Sequence, residues 1–165
     1  MKKLLLLLTV FSAFGCQAQD ATRKSPHDTV SNANTKVTYG RPYKKGREIF
    51  GSLEKFGVVW RVGADEATTI SFAKDVKFGT ADVKAGTYTL FAIPGETEWT
   101  IILNAQLGQW GAFSYGKYKD KDVASVKVPV QKTGDTVEQL TIRFLESGFM
   151  VIEWDMTRVI VPIVY

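Results

Sequence analysis

The chain of 165 residues is weakly basic, with a formal net charge of +4, and it contains one cysteine, Cys16, and one histidine, His27. One histidine excludes a zinc site built from several histidines, and one cysteine excludes an internal disulfide. The sequence has no regular metal-ligand spacing and no glycine-rich phosphate loop, so we predict no metal and no cofactor. Removing Lys2 and Lys3 with a leader would lower the formal charge to +2, which gives no reason to expect a nucleic-acid partner.

Residues 1–15 have the organisation of a secretory signal peptide. Two lysines precede an apolar run, residues 4–11, which is shorter than the roughly 20 residues of a membrane-spanning helix. The run leads to Ala13-Phe14-Gly15-Cys16, which resembles a bacterial lipobox and predicts lipidation of Cys16. Ala13 stands where leucine is usual, so cleavage after Ala18 is the alternative. Both outcomes predict a protein of the cell envelope, in the periplasm or at the outer membrane, either lipid-anchored or secreted.

Residues 16–34 are mostly small and polar, which predicts a tether, and residues 35–165 are long enough for one domain with a single core. Alternation of apolar and polar residues recurs along this domain and predicts an all-β fold, a single antiparallel β-sandwich of jelly-roll type. The last two strands are expected to pair across a turn at 155–157. The predicted strands are 35–39, 58–62, 68–72, 75–78, 87–93, 98–103, 126–130, 140–144, 149–154 and 158–165.

Two long segments, 41–57 and 104–122, interrupt the strand pattern. Loops longer than about 12–15 residues in a compact domain are usually functional or disordered. Both segments are rich in aromatic and aliphatic residues, which favours ordered loops that carry a function.

Three arginines, Arg41, Arg47 and Arg61, flank strand ends or the first long loop. A guanidinium has five fixed donors and suits carboxylates, phosphates and buried carbonyl oxygens. One interpretation is a pocket for an anion or a sugar acid, in which the arginines and Glu66 orient the ligand. The alternative is a structural clamp, in which Arg61 bonds Glu66 or loop carbonyls and pins the loop, because a buried charge must be paired.

The second long loop contains Trp110 and Tyr115 among several glycines. Flat aromatic faces with nearby amides and hydroxyls are typical of sugar-binding sites, so we predict that Trp110 and Tyr115 stack on a glycan. In the alternative, Trp110 and Phe113 plug one end of the sandwich, because aromatic side chains bury large areas in small cores.

Two further functions are consistent with the residues. A carboxylate-dependent hydrolase would need two acids about 5–9.5 Å apart, and adjacent acids occur at Asp65/Glu66, Glu96/Glu98 and Glu153/Asp155. An interaction protein that packs against an outer-membrane partner would need an exposed apolar face, and Ile160, Pro162 and Val164 offer one. The leading hypothesis is a non-enzymatic binding module for a glycan or another small polar ligand.

The motifs Tyr39-Gly40-Arg41-Pro42, Trp60 to Thr68 and Gln109 to Phe113 resemble those of the domain-of-unknown-function 2911 family. These are secreted or lipid-anchored β proteins common in the Bacteroidota. The resemblance extends from Ser25 to the C-terminus, with Asp65 where the family pattern has asparagine. It implies an envelope location and a β fold, and it implies no activity.

Overall fold

Antiparallel strands account for most of residues 23–165, the part of the chain that this computed structural model describes. The predictions for the signal peptide and for Cys16 lie outside the described residues. Within residues 23–165, no helix is long and apolar enough to cross a membrane. The strands are β1 (His27–Ser31), β2 (Thr35–Gly40), β3 (Thr69–Phe72), β4 (Val76–Phe78), β5 (Ala81–Val83), β6 (Gly86–Ile93), β7 (Glu98–Asn104), β8 (Asp122–Pro129), β9 (Gln131–Phe144), β10 (Met150–Val161) and β11 (Ile163–Val164), with a 3₁₀ helix at Tyr115–Lys121.

One layer is a six-stranded antiparallel sheet with the order β1-β2-β3-β6-β7-β8. Alternation decides which side chains face inward: Thr35 and Val37 of β2 are buried, whereas Lys36 between them is exposed. The same period places Trp99 and Ile101 of β7 in the core.

The second layer consists of the β9–β10 pair and the three-stranded sheet β11-β4-β5. Apolar residues from this layer, such as Leu140 and Ile152, join those of the six-stranded sheet in one continuous core. The predicted all-β, antiparallel sandwich is therefore confirmed.

The predicted turn at 155–157 is wrong, because β10 runs through it and pairs with β9 along its length. Asp155 pairs with Val137 and has a φ of 54°, and shifts of register on both sides of it absorb the irregularity. The segment lacks the Asn-Gly or Asp-Gly pair that favours a two-residue hairpin turn.

The segment predicted as a strand at 58–62 forms only an isolated antiparallel bridge between Trp60 and Ala92. Trp60 donates to and accepts from the Ala92 backbone at 2.7 and 2.9 Å, and the chain then turns away. The sheet also begins earlier than the predicted domain boundary at residue 35, since β1 lies within the predicted tether and pairs with β2.

At the C-terminal end of the second layer, Val159, Val161 and Ile163 are buried. Of the residues between them on the other face, Ile160 and Pro162 are partly buried and Val164 is 49% exposed. The outer face of the six-stranded sheet carries a smaller apolar cluster, in which Tyr115 packs on Phe91.

Candidate functional site

The turn at 61–66 and the aromatic loop form one unit although they are far apart in the sequence. The amide of Gly111 donates a 3.0 Å hydrogen bond to the carbonyl oxygen of Asp65, and an isolated antiparallel bridge pairs Glu66 with Trp110. This pairing places the side chains of the turn next to those of the loop.

This unit and the first long loop surround an open cavity of about 350 Å³. Three of the predicted ligand-binding residues line it together: Arg47, Arg61 and Trp110. Glu54 and Asp65 contribute carboxylates to the same cavity. Arg61 and Trp110 therefore belong to one open site rather than to separate buried positions.

Arg61 is held by a loop carbonyl and an aromatic ring. Its Nη1 donates a 3.2 Å hydrogen bond to the carbonyl oxygen of Asp65, and its guanidinium carbon lies 6.0 Å from the centre of the Phe113 ring. Among residues 23–165, no carboxylate forms an ion pair with Arg61 within 4.0 Å. The charge of Arg61 is therefore positioned at the cavity without being neutralised by a neighbouring carboxylate.

The backbone beside Arg61 is strained. Val62 has a φ of 55° and Asp65 a φ of 64°, and a positive φ is an outlier for a β-branched residue such as valine. The turn also packs directly on the end of β2, where a Cβ on Gly40 would lie 2.1 Å from the carbonyl oxygen of Ala64. Strain of this kind persists where surrounding contacts enforce it, and it is concentrated at functional sites.

Arg47 is an exposed side chain fixed by its own loop. Its Nε donates to the carbonyl of Lys44 at 2.8 Å, and its Nη2 donates to the carbonyl of Tyr43 at 2.5 Å. These bonds to backbone carbonyls orient the guanidinium at the cavity and leave its positive charge without a carboxylate partner among the described residues.

Glu54 is the acid whose surroundings in the cavity favour the neutral form. Burial raises the pKa of its carboxyl to about 7, and this effect outweighs the opposing attraction of Arg61 and Arg47. Within residues 23–165, no hydrogen bond and no ion pair within 4.0 Å involves the Glu54 carboxylate. The Glu54 carboxyl group is therefore available to a ligand as a hydrogen-bond donor or acceptor.

Trp110 presents an aromatic surface at the cavity, since 44% of it is exposed. Phe113, which was the other residue of the predicted plug, is 85% exposed. The interpretation of Trp110 and Phe113 as a buried plug is therefore wrong. Gly111, which has a φ of 65°, lets the loop pass close to Arg61: a Cβ there would lie 3.0 Å from Nη1 of Arg61.

Behind the cavity lies a cluster of aromatic rings. Trp154 of β10 lines the cavity and stacks on Trp60, with ring centres 6.1 Å apart and planes 17° apart. Phe50 packs edge-on against both rings. This apolar layer provides surroundings of low dielectric constant, which disfavour the charged form of the Glu54 carboxyl group.

The rim of the cavity is closed by the chain just before β1. The Asp65 carboxylate accepts hydrogen bonds from the backbone amides of Lys24 and Ser25 at 3.1 Å. Glu66 forms an ion pair with Arg23 at 2.6 Å, and the hydrogen bond from Arg23 is the main reason why the pKa of Glu66 is lowered. Glu66 therefore fastens the N-terminal segment and does not itself line the cavity.

His27 also contacts this rim. Its Nε2 lies 3.2 Å from Oε2 of Glu66 and 3.8 Å from Oδ2 of Asp65. Asp65 and Glu66 thus contact four groups of the N-terminal segment, the amides of Lys24 and Ser25 and the side chains of Arg23 and His27, which places β1 beside the site.

Two predicted ligand-binding residues lie elsewhere. Arg41 donates to the Leu140 carbonyl and to Oγ1 of Thr141, each at 3.0 Å, and so fastens β9. Tyr115 is buried and donates a 2.6 Å hydrogen bond to the Asp122 carboxylate. Burial and that carboxylate both raise the pKa of Tyr115. Tyr115 is not placed to stack beside Trp110 on a shared ligand.

The predicted acid pairs are mostly dispersed. Only the first contributes to the cavity, through Asp65. Glu98 pairs with Lys127 at 2.9 Å, and Glu153 and Asp155 of β10 are paired with arginine or lysine side chains. Glu54 was not predicted as a site residue, although an acid within an apolar loop segment is a usable signal for a partly buried carboxyl group.

A family model described as a protein of unknown function (DUF2911) matches residues 21–163. The resemblance drawn from the motifs is confirmed over this range. No curated protein and no solved structure gave a significant match.

Proposed function

Because the chain belongs to the DUF2911 family, whose description gives no activity, we propose a function from the geometry of the site. The protein is a non-enzymatic binding module of the cell envelope, lipid-anchored at Cys16 or secreted. Its ligand is a glycan or another small polar molecule that occupies the cavity. The observation that carries this proposal is that Arg61 and Trp110 line one open cavity.

The cavity combines the two kinds of surface that a sugar needs. Trp110 offers an exposed aromatic face for the apolar side of a sugar ring. Arg47 and Arg61 offer guanidinium donors that no carboxylate of the described residues neutralises. The volume of about 350 Å³ is at the lower end of the range for small-molecule sites, about 300–1,000 Å³.

The proposal is tested by applying the full chain to an array of plant and bacterial-envelope oligosaccharides, followed by calorimetry with the strongest binder. Wild type should bind, and Trp110→Ala should lose about fivefold in affinity, since one stacking contact contributes on the order of 1 kcal/mol. Trp110→Ala should retain the wild-type melting profile, because the indole is partly exposed.

Trp99→Ala is the matched control, since Trp99 is buried in the core and its truncation should lower stability by about 3–5 kcal/mol. If no glycan binds and Trp110→Ala unfolds the domain as Trp99→Ala does, the binding module is excluded.

A second candidate function is a hydrolase, favoured by the presence of Glu54 and Asp65 in one cavity. A carboxyl with a pKa of about 7 is suited to act as a general acid near neutral pH. Nitrophenyl glycosides provide the test. Release of nitrophenol by wild type and its loss in Glu54→Gln would support the hydrolase, and absence of release would leave the binding module as the better account.

A further inference from the structure

Glu54 lies in a cavity whose other charged groups are mostly cationic. Arg47 and Arg61 contribute guanidinium groups, and Lys24 lines the same cavity. The one other carboxylate, that of Asp65, already accepts hydrogen bonds from two backbone amides. Apart from Glu54, the described residues that line the cavity therefore include three basic side chains and one acidic side chain.

A neutral ligand would leave this excess of positive charge uncompensated. An anionic group between the two guanidiniums would compensate it, and carboxylates match the planar fork of arginine. Glu54 would then face a second carboxylate at short range, and two carboxylates that share a site cannot both be ionised without a large cost. A neutral Glu54 removes that repulsion and adds a hydrogen-bond donor.

We propose, on the basis of the proposed binding function, that the ligand is a sugar bearing a carboxylate, and that this carboxylate binds between Arg47 and Arg61 while protonated Glu54 donates a hydrogen bond to it. Trp110 packs against the sugar ring. The proton on Glu54 stays on its carboxyl oxygen, and no covalent bond forms or breaks.

The proposal makes binding depend on pH. The burial of Glu54 already raises the pKa of its carboxyl to about 7 in the free protein, and a bound anion raises it further. Binding therefore takes up a proton once the pH exceeds that value. A uronic acid stays ionised over the same range, because its carboxyl has an ordinary pKa of roughly 3.5.

Histidine side chains also change charge near neutral pH, and Nε2 of His27 lies 3.8 Å from Oδ2 of Asp65. The pH profile of His27→Gln separates that contribution from the effect of Glu54. Lys24, Arg47 and Arg61 are the basic residues that line the cavity, and the Asp65 carboxylate accepts hydrogen bonds from two backbone amides.

The experiment is a titration of the full chain with D-glucuronate and with D-glucose, followed through the tryptophan indole N–H signals in ¹H–¹⁵N spectra. From about pH 5.5 to about pH 8.5, wild-type affinity for glucuronate should fall roughly thirty-fold, whereas Glu54→Gln should vary less than about threefold. Glu48→Gln is the matched control on the same loop, and both Glu48→Gln and His27→Gln should keep the wild-type profile. Glucose should bind at least about tenfold more weakly than glucuronate to wild type.

Equal affinity for glucose and glucuronate at the Trp110 signal would overturn the proposal while leaving the binding module intact. A pH profile that Glu54→Gln leaves unchanged, or that His27→Gln abolishes, would also overturn it. Failure of every sugar to shift the Trp110 signal would count against the binding module itself.

Discussion

Arg61 donates a 3.2 Å hydrogen bond to the carbonyl oxygen of Asp65, within a turn that also brings Asp65 into contact with the aromatic loop. This relationship explains why an arginine follows Trp60 in an apolar segment. The bond fixes the turn, and it uses only part of the donor capacity of a guanidinium. The contact that closes the turn thus also holds Arg61 at the cavity, so the structural clamp and the proposed binding site involve the same arrangement.

Gly40→Ala tests the packing that supports this turn. The added Cβ would lie 2.1 Å from the Ala64 carbonyl oxygen, so the turn has to shift away from β2. We expect a loss of about 1–3 kcal/mol in the free energy of unfolding together with weaker ligand binding. Urea denaturation measures the first quantity. Gly134→Ala is the control: a Cβ there meets nothing within 4 Å, and a change as large as that of Gly40→Ala would show that close packing is not the cause.

In the ligand-free protein, we expect the free energy of unfolding to fall as the pH rises to neutrality, because the Glu54 carboxyl is buried. Burial raises the pKa of the Glu54 carboxyl to about 7 in the folded state. The favourable contribution of this group to the free energy of unfolding is therefore complete below its unfolded pKa, roughly 4.3, and is lost as the pH rises through about 7. As the pH is raised from about 5 to about 8, the stability of Glu54→Gln relative to wild type should therefore increase by on the order of 1–3 kcal/mol. Denaturation curves at both pH values measure this, and Glu48→Gln should show no such gain. A Glu54→Gln variant that gains nothing would contradict the burial of this carboxyl.

The contribution of Glu153 to stability should have the opposite pH dependence and be lost in acid. Burial alone would raise the pKa of its carboxyl, but hydrogen bonds from Arg143, at 3.2 Å, and from Arg158 outweigh burial and lower it. This contribution is present above the unfolded pKa, roughly 4.3, and is lost as the pH falls through the folded pKa. We expect Glu153→Gln to lower the free energy of unfolding by about 2 kcal/mol at neutral pH, because it loses charged hydrogen bonds, and to lose less further stability in acid than wild type. Thermal melts from neutral to acidic pH measure both effects, with exposed Glu146→Gln as control. Parallel profiles for wild type and Glu153→Gln would refute the assignment.

Tyr115→Phe separates structural support from ligand contact. The variant removes the hydroxyl that donates to the Asp122 carboxylate at 2.6 Å, so stability should fall by about 2 kcal/mol. Affinity for the ligand of wild type should stay within about twofold, because no contact places Tyr115 in the cavity. Tyr118→Phe, whose hydroxyl has no hydrogen bond among the described residues, should cost less than about 0.5 kcal/mol. A tenfold loss of affinity in Tyr115→Phe would restore it as a binding residue.

The strands were predictable because a half-buried sheet requires alternation, as in β2 and β7. The strand predicted around Trp60 failed because positive φ values at Val62 and Asp65 depend on contacts with distant segments. The same holds for β10, where Asp155 takes an irregular conformation that its pairing with β9 enforces.

The candidate site was predictable in part. Arg47, Arg61 and Trp110 were predicted to share a site because loops rich in aromatic and charged residues are where binding sites occur, and they line one cavity. Arg41 has similar sequence surroundings, and only the tertiary contact with Leu140 assigns it to β9. Tyr115 and Glu54 show the same limit: burial raises the pKa of both, and burial comes from neighbours that are remote in the chain.

Intermolecular nuclear Overhauser effects between the ring protons of a bound sugar and the indole protons of the protein would locate the ligand in the cavity. With D-glucuronate on the full chain, we expect contacts to the Trp110 indole and none to Tyr115. Contacts confined to another surface, with the Trp110 resonances unmoved at saturation, would contradict the assignment of this cavity as the binding site.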